Sequence, residues 1–240
     1  MNVQKYKSAF TMAEILITLL VIAVIAAMTL PGLRKYAQTE EYIASLKKAY
    51  ATLATTTRLI ESEKGDMKRW GSFTYVVENN EEDEESNTSG LDTTQRVAKY
   101  YAEKMNVAKD CGLSDSNCWA SSTKQLDGSG TITNAPSGGG EYTFSTGDGM
   151  NWQFQAITKE NIEKMGVTLD ADSPDGFLVW VDTNGKKKPN MVGQDIFAFI
   201  INEKLGVLPT GINSSVENKC DDSHGELCTA KVIKEGKMDY

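Results

Sequence analysis

Glu14 is the one carboxylate in the 21 residues from Phe10 to Leu30, a stretch whose other polar side chains are Thr11, Thr18 and Thr29. An acid in so apolar a run is costly alone and strongly favours a partner of opposite charge. Such a partner, available in one stagger only, would set register as a lone polar residue does in a coiled coil. The plainer reading is a side chain that snorkels to lipid headgroups. A second set of oxygens falls in "VDTNGKKKPNMVGQD", where Asp182, Asn184 and Asp195 are ligands of the type calcium takes. Their spacing is not that of an EF-hand: Lys186 stands where a further carboxylate would sit, and Lys187 and Lys188 follow it. The bland reading of this loop is a hairpin with Asn184-Gly185 in a type I′ turn, and the two readings are compatible.

Cys111, Cys118, Cys220 and Cys228 form an even set. Four cysteines allow three connectivities. Local pairing would close loops of 8 and 9 residues, for which chain entropy gives about 2.5 kcal/mol each. Disulfides imply an oxidising compartment, hence a domain outside the cytoplasm. A zinc site is the rival, but the spacings are wide and contain no CxxC. His224, the only histidine, lies in a polar loop between two cysteines, and neither GxSxG nor a Walker sequence accompanies it. A catalytic triad would have to use that residue, so no enzyme is expected.

These residues need elements to position them. About 20 mostly apolar residues span a bilayer core as a helix. The eleven Phe, Leu, Ile and Val side chains between Phe10 and Leu30 contribute about −3 to −7 kcal/mol of insertion free energy, enough to offset one acid at roughly +3 kcal/mol. Hydropathy alone also fits a cleaved secretory signal, with "VIA" at residues 24–26 as its cleavage site, or a plain anchor. Past Pro31, apolar or aromatic residues at Leu33, Tyr36, Ile43, Leu46, Tyr50, Leu53 and Ile60 keep close to helical spacing, and Gly65 is the stop. One helix from Phe10 to about Ile60 is expected, bent or loosened at Pro31, all-apolar first and amphipathic after. Residues 78–90 read as an acidic solvated loop, 93–110 as a second short helix and 127–140 as a flexible loop. "NWQFQA" (151–156), "FLVWV" (177–181) and "IFAFII" (196–201) read as strands, and a final pair is expected in "CTAKVIKEGKMDY" (228–240). Strands this close in sequence favour antiparallel pairing. The expected class is α+β, with a long N-terminal helix on a C-terminal antiparallel sheet.

The string "AFTMAEILITLLVIAVIAAMTLPG" resembles the N-terminal signature of type IV pilins and type II secretion pseudopilins. In that family a short basic leader ends in a small residue, Phe begins the mature chain, Glu is fifth and Pro twenty-second. Counted from Phe10, Glu14 is fifth and Pro31 twenty-second, after the leader "MNVQKYKSA". Ala9 departs from the usual Gly. The resemblance covers about 30 of 240 residues. It implies cleavage between Ala9 and Phe10 by a prepilin peptidase, N-methylation of Phe10, and a bond from Glu14 to the Phe10 amine of a neighbouring subunit, with Pro31 part of the assembly helix. The implied organisation is a leader (1–9), a transmembrane and polymerisation helix (10–30), its amphipathic continuation (31–64) and an extracytoplasmic globular domain (65–240). The implied partners are other pilins in a homo- or hetero-polymer, the peptidase, the pilus or secretion assembly machinery and the bacterial inner membrane, crossed once. Some pseudopilins have a calcium site in the loops of the C-terminal sheet, so calcium is the one cofactor implied.

Composition agrees with that setting. Loss of Lys5 and Lys7 with the leader would take the formal charge from −8 to −10. So acidic a body argues against broad nucleic-acid binding, while local basic patches such as "GKKKPN" leave DNA uptake open. The sequons at Asn87 and Asn213 are accidental in a chain with a bacterial-type leader. The competing class is a membrane-anchored extracytoplasmic enzyme or ligand-binding module.

Overall fold

The computed structural model describes residues 11–70, 84–113, 116–130, 141–213, 220 and 224–240. The leader, Ala9 and Phe10 lie outside them, as does most of the expected flexible loop. The chain divides into two compact units, residues 1–40 and 41–240.

Helix α1 (Met12–Lys64) runs unbroken past Pro31. In the first unit its apolar side chains are exposed all round, from Met12 to Leu30, and by length and composition this part could cross a membrane. Its threonines do not compromise that: the Thr18 hydroxyl donates to the Ile15 carbonyl (2.9 Å) and that of Thr29 to the Ile25 carbonyl (3.0 Å). Hydroxyls satisfied inside the helix remove the main cost of placing them in hydrocarbon. The helical pattern expected from Leu33 onward becomes a buried face later than the spacing suggests. Leu33 and Tyr36 are exposed, and burial begins at Tyr42. The helix ends as expected at Gly65, whose φ of +79° suits glycine and whose N–H donates to the Glu61 carbonyl (3.0 Å).

The second unit is an antiparallel meander of six strands in chain order: β1 (Val107–Leu113), β2 (Tyr142–Thr146), β3 (Asn151–Ile157), β4 (Gly176–Asp182), β5 (Ile196–Asn202) and β6 (Gly206–Pro209). Helices α2 (Glu84–Lys104), α3 (Lys159–Lys164) and α4 (Cys228–Glu235) and two short 3-10 turns, Met67–Trp70 and Ser116–Cys118, complete the described elements. One face of the sheet presents Phe144, Phe154, Val179, Phe199 and their neighbours to Leu46, Leu53 and Ile60 of α1, Val97 and Tyr101 of α2, and Val232 of α4. Tyr50 stacks on Phe199 at 5.8 Å between ring centroids. The other face, with Leu178, Trp180, Ala198 and Ile200, is covered by Trp119, Ile162 of α3, Met165 and Val192. Both faces of β4 and β5 are therefore buried, which is why these two strands read as unbroken apolar runs.

The α+β class, the long helix and the three anticipated strands are present. Four expectations need correction. Residues 84–90, expected in a loop, open α2; 78–83 lie outside the described residues. The second helix stops at Lys104, and the residues after it form β1, an edge strand too exposed to show an apolar alternation. The last strand pair is instead α4, because Cys228, Thr229 and Val232 share one helical face and Gly236 (φ +67°) caps the end through Val232. The link from β4 to β5 is a long loop, and Asn184 does not have the positive φ that a type I′ turn demands.

Candidate functional site

The four polar side chains of the apolar run include a reciprocal pair that spacing alone could have revealed. The Thr11 N–H and hydroxyl both donate to Glu14 Oε2 (2.8 and 2.9 Å), and the Glu14 N–H returns a bond to Thr11 Oγ1 (3.2 Å). This is a capping box: Thr and Glu three residues apart satisfy two N–H groups that the first turn leaves open. The Thr-x-x-Glu spacing carried that signal, and the readings of Glu14 as an inter-subunit partner or a snorkelling side chain did not use it. Glu14 Oε1 takes no hydrogen bond among the described residues, so the cap occupies half of the carboxylate.

The second candidate is the β4–β5 loop, in which Asp182, Asn184 and Asp195 do come together. Asn184 bridges the two acids: its N–H donates to Asp182 Oδ1 (3.2 Å) and its Nδ2 to Asp195 Oδ2 (3.0 Å). Asp195 also accepts the N–H groups of Asn190 (2.9 Å, on Oδ2) and Met191 (2.7 Å, on Oδ1), and its carbonyl accepts the N–H and hydroxyl of Thr183. Gly185 (φ +73°) passes so close to the Gly149 carbonyl that a Cβ would lie 2.7 Å from its oxygen. The loop is pinned from outside as well. Lys186 Nζ donates to the Asn117 carbonyl (2.5 Å), the Lys124 N–H to the Asn190 carbonyl (2.9 Å), and the Tyr240 hydroxyl to the Gly193 carbonyl. Tyr42, the first buried residue of α1, lies close to the Asn184 side chain.

Both acids are completely buried, and among the described residues neither has an ion-pair partner. Burial, reinforced by the nearby Asp195 charge, pushes Asp182 up to about 8; the N–H groups of Asn184 and Gly185 oppose the rise without cancelling it. Burial likewise raises Asp195, against the bonds from Met191, Asn190 and Asn184. Two buried carboxyls without a cation are an expensive arrangement. Three buried oxygens around them, Asp182 Oδ2, Asn184 Oδ1 and Asn190 Oδ1, accept no hydrogen bond at all. They are hard oxygens of the type calcium takes, so in chemical type these residues fit calcium. Among the described residues no three His, Cys, Asp or Glu side chains converge, so amides have to complete any such set. Asn190, on the far side of Pro189, was not marked by the sequence, because an amide in a lysine-rich loop has no distinguishing spacing.

No family model, no curated protein and no solved structure matches this chain. The remaining sequence-marked residues fall apart from the loop's acids. Cys111 is joined to Cys118 and Cys220 to Cys228, the local pairing among the three connectivities. His224 is exposed in a turn.

Proposed function

We propose that this chain is a structural subunit of the pilin or pseudopilin type, anchored in the bacterial inner membrane by the first part of α1, with its sheet domain outside the cytoplasm, and assembled through that helix into a filament. The observation that carries this reading is the make-up of α1: an exposed apolar stretch with a single acid in its first turn, continuous in sequence with a face that packs on the sheet. A secretory signal would need neither the acid nor the continuation. Two local disulfides fit an oxidising compartment. Sequencing the mature N-terminus tests the reading. A chain beginning at N-methylated Phe10 is expected. A start after Ala26, or an intact Met1, overturns it in favour of an anchored extracytoplasmic module.

The β4–β5 loop carries a second reading: a site for a hard divalent cation, with calcium the ion that the resemblance implies. Its support is the trio of buried, unpartnered oxygens beside two buried acids. When bound, calcium would supply the positive charge those carboxyls lack.

A further inference from the structure

We propose that the exposed lysines of the β4–β5 loop dock the acidic start of α2 on a second copy of this chain. This rests on the filament reading above and adds to it a contact between sheet domains. The chain has a formal charge of −8, so copies packed into one polymer repel each other unless opposite charges meet. Positive charge collects at the β4–β5 loop, where Lys186, Lys187 and Lys188 follow one another, all exposed. Exposed Lys124 is held beside them: its N–H donates to the Asn190 carbonyl (2.9 Å), and its carbonyl accepts the Val192 N–H (3.0 Å). Lys186 Nζ is engaged by the Asn117 carbonyl. Among the described residues Lys124, Lys187 and Lys188 have no ion-pair partner.

The matching negative charge stands at the other end of the sheet. Glu84 and Glu85 are the first residues of α2, and the sequence just before them adds Glu81, Glu82 and Asp83. Helix α2 runs antiparallel to β3. The Asn106 carbonyl, just past its C-terminus, accepts the Gly147 N–H (2.7 Å) at the β2–β3 turn, whereas Thr94 Oγ1, near its middle, accepts the Ala156 N–H (3.1 Å) at the far end of β3. The helix from Thr94 back to Glu84 therefore extends beyond that far end, by about 15 Å. The lysine loop leaves the sheet at the near end, because Asp182, the last residue of β4, pairs with Asn151, the first of β3. The strand between the two ends adds roughly 17 Å. Lysines and acids of one copy are thus about 30 Å apart, several times the roughly 8 Å over which charges act at physiological salt, and they do not neutralise each other in cis.

Opposite charges at opposite ends suit a head-to-tail contact, in which one surface meets a different surface of the next copy. Such a contact propagates without closing, as a filament requires, whereas a self-complementary one stops at a dimer. One exposed ion pair contributes little. A cluster facing a cluster, repeated at every step, steers copies together and disfavours wrong registers. The acidic body weighs against a nucleic acid as the occupant.

The test uses cells carrying the full chain as the sole copy, with the yield of sheared filaments as readout and melting of the detergent-extracted chain as the check on folding. Lys187→Glu with Lys188→Glu should lower the yield at least about fivefold, and Glu84→Lys with Glu85→Lys should do the same. Both reversals in one chain should restore it. Co-expression of the two reversed chains should also restore it, because each then supplies the surface that the other now needs. That second rescue is specific to a contact between copies. Should the reversal in α2 fail to fold, Glu84→Gln with Glu85→Gln takes its place, and its yield should fall too. Full yield from the folded variants would overturn the proposal, as would a loss that neither combination rescues. Normal filaments from the lysine reversal, with lost retention on immobilised duplex DNA, would give the surface to nucleic acid and overturn it as well. Wild-type cells without filaments would sink the filament reading itself, and this contact with it.

Discussion

Tyr101 of α2 donates its hydroxyl proton to Thr57 of α1 across 2.7 Å in the middle of the core. The direction is fixed by Thr57, which spends its own proton on the Leu53 carbonyl at 2.8 Å. Burial pushes the Tyr101 phenol far above its ordinary range, so it stays a donor at every accessible pH. The two deletions are therefore unequal. Tyr101→Phe should cost about 1 kcal/mol, because Thr57 keeps its other partner, whereas Thr57→Val strands a buried hydroxyl and should cost up to about 3 kcal/mol. Urea unfolding of both variants checks this, and equal losses would contradict the assigned direction.

Glu14 has two roles to separate, cap and charge. Glutamine also serves in a capping box, so Glu14→Gln keeps the helix start and removes the charge. Filament yield should fall sharply while insertion and leader removal persist, since apolar side chains dominate insertion. Glu14→Ala should lose the cap as well and loosen the first turn. Shear fractions and electron microscopy of cells carrying each variant as the sole copy measure it. Normal filaments from Glu14→Gln would leave Glu14 as a cap and nothing more.

The buried acid of the β4–β5 loop predicts a pH dependence of a definite sign. Asp182 in the folded chain holds its proton up to about pH 8, against an ordinary value of 3.8. Between those two values the native state binds a proton that the unfolded chain has released, so stability falls as pH rises through the window and levels off above it. In EGTA, the melting temperature should drop from pH 5 to pH 8. Asp182→Asn should flatten the curve, and saturating calcium should do the same by replacing the proton with an ion. A melting temperature that climbs over that range would contradict the account.

Peptide mapping without reduction should return Cys111 linked to Cys118 and Cys220 linked to Cys228. Replacing Cys111 and Cys118 together by serine should cost about 2.5 kcal/mol by loop-entropy arithmetic, and it removes the tie between β1 and the turn that follows it. Crossed linkages, or free thiols in the unreduced chain, would be incompatible with this fold.

Much of the architecture was legible because strong periodicity marked it. Trp152 and Phe154 announced β3 by alternation, and Ile196 to Ile201 announced β5 by an unbroken apolar run. What escaped had its stabilisation elsewhere. β1 is mostly exposed and holds its place through pairing with β2 and a disulfide, neither of which leaves a pattern along the strand. α4 is only eight residues, too short for its helical period to outweigh an apparent alternation. The candidate cation site was half legible. Two acids and Asn184 are conspicuous in sequence, but that Asp195 would be consumed by N–H groups, and that Asn190 would be left with an idle oxygen, depends on how a long loop folds back on itself.

The meander leaves two outer strands among the described residues, and neither is a good template for a further strand. β1 is kinked by irregular pairing at Lys109 and between Asp110 and Gly112. β6 is four residues long and ends in Pro209, which has no N–H to offer. Short, bent, lysine-bearing or proline-ended edges are the devices by which sheet proteins avoid amyloid-like stacking. Copies of this chain can therefore reach high local concentration without their sheets fusing edge to edge into an irreversible β-aggregated state.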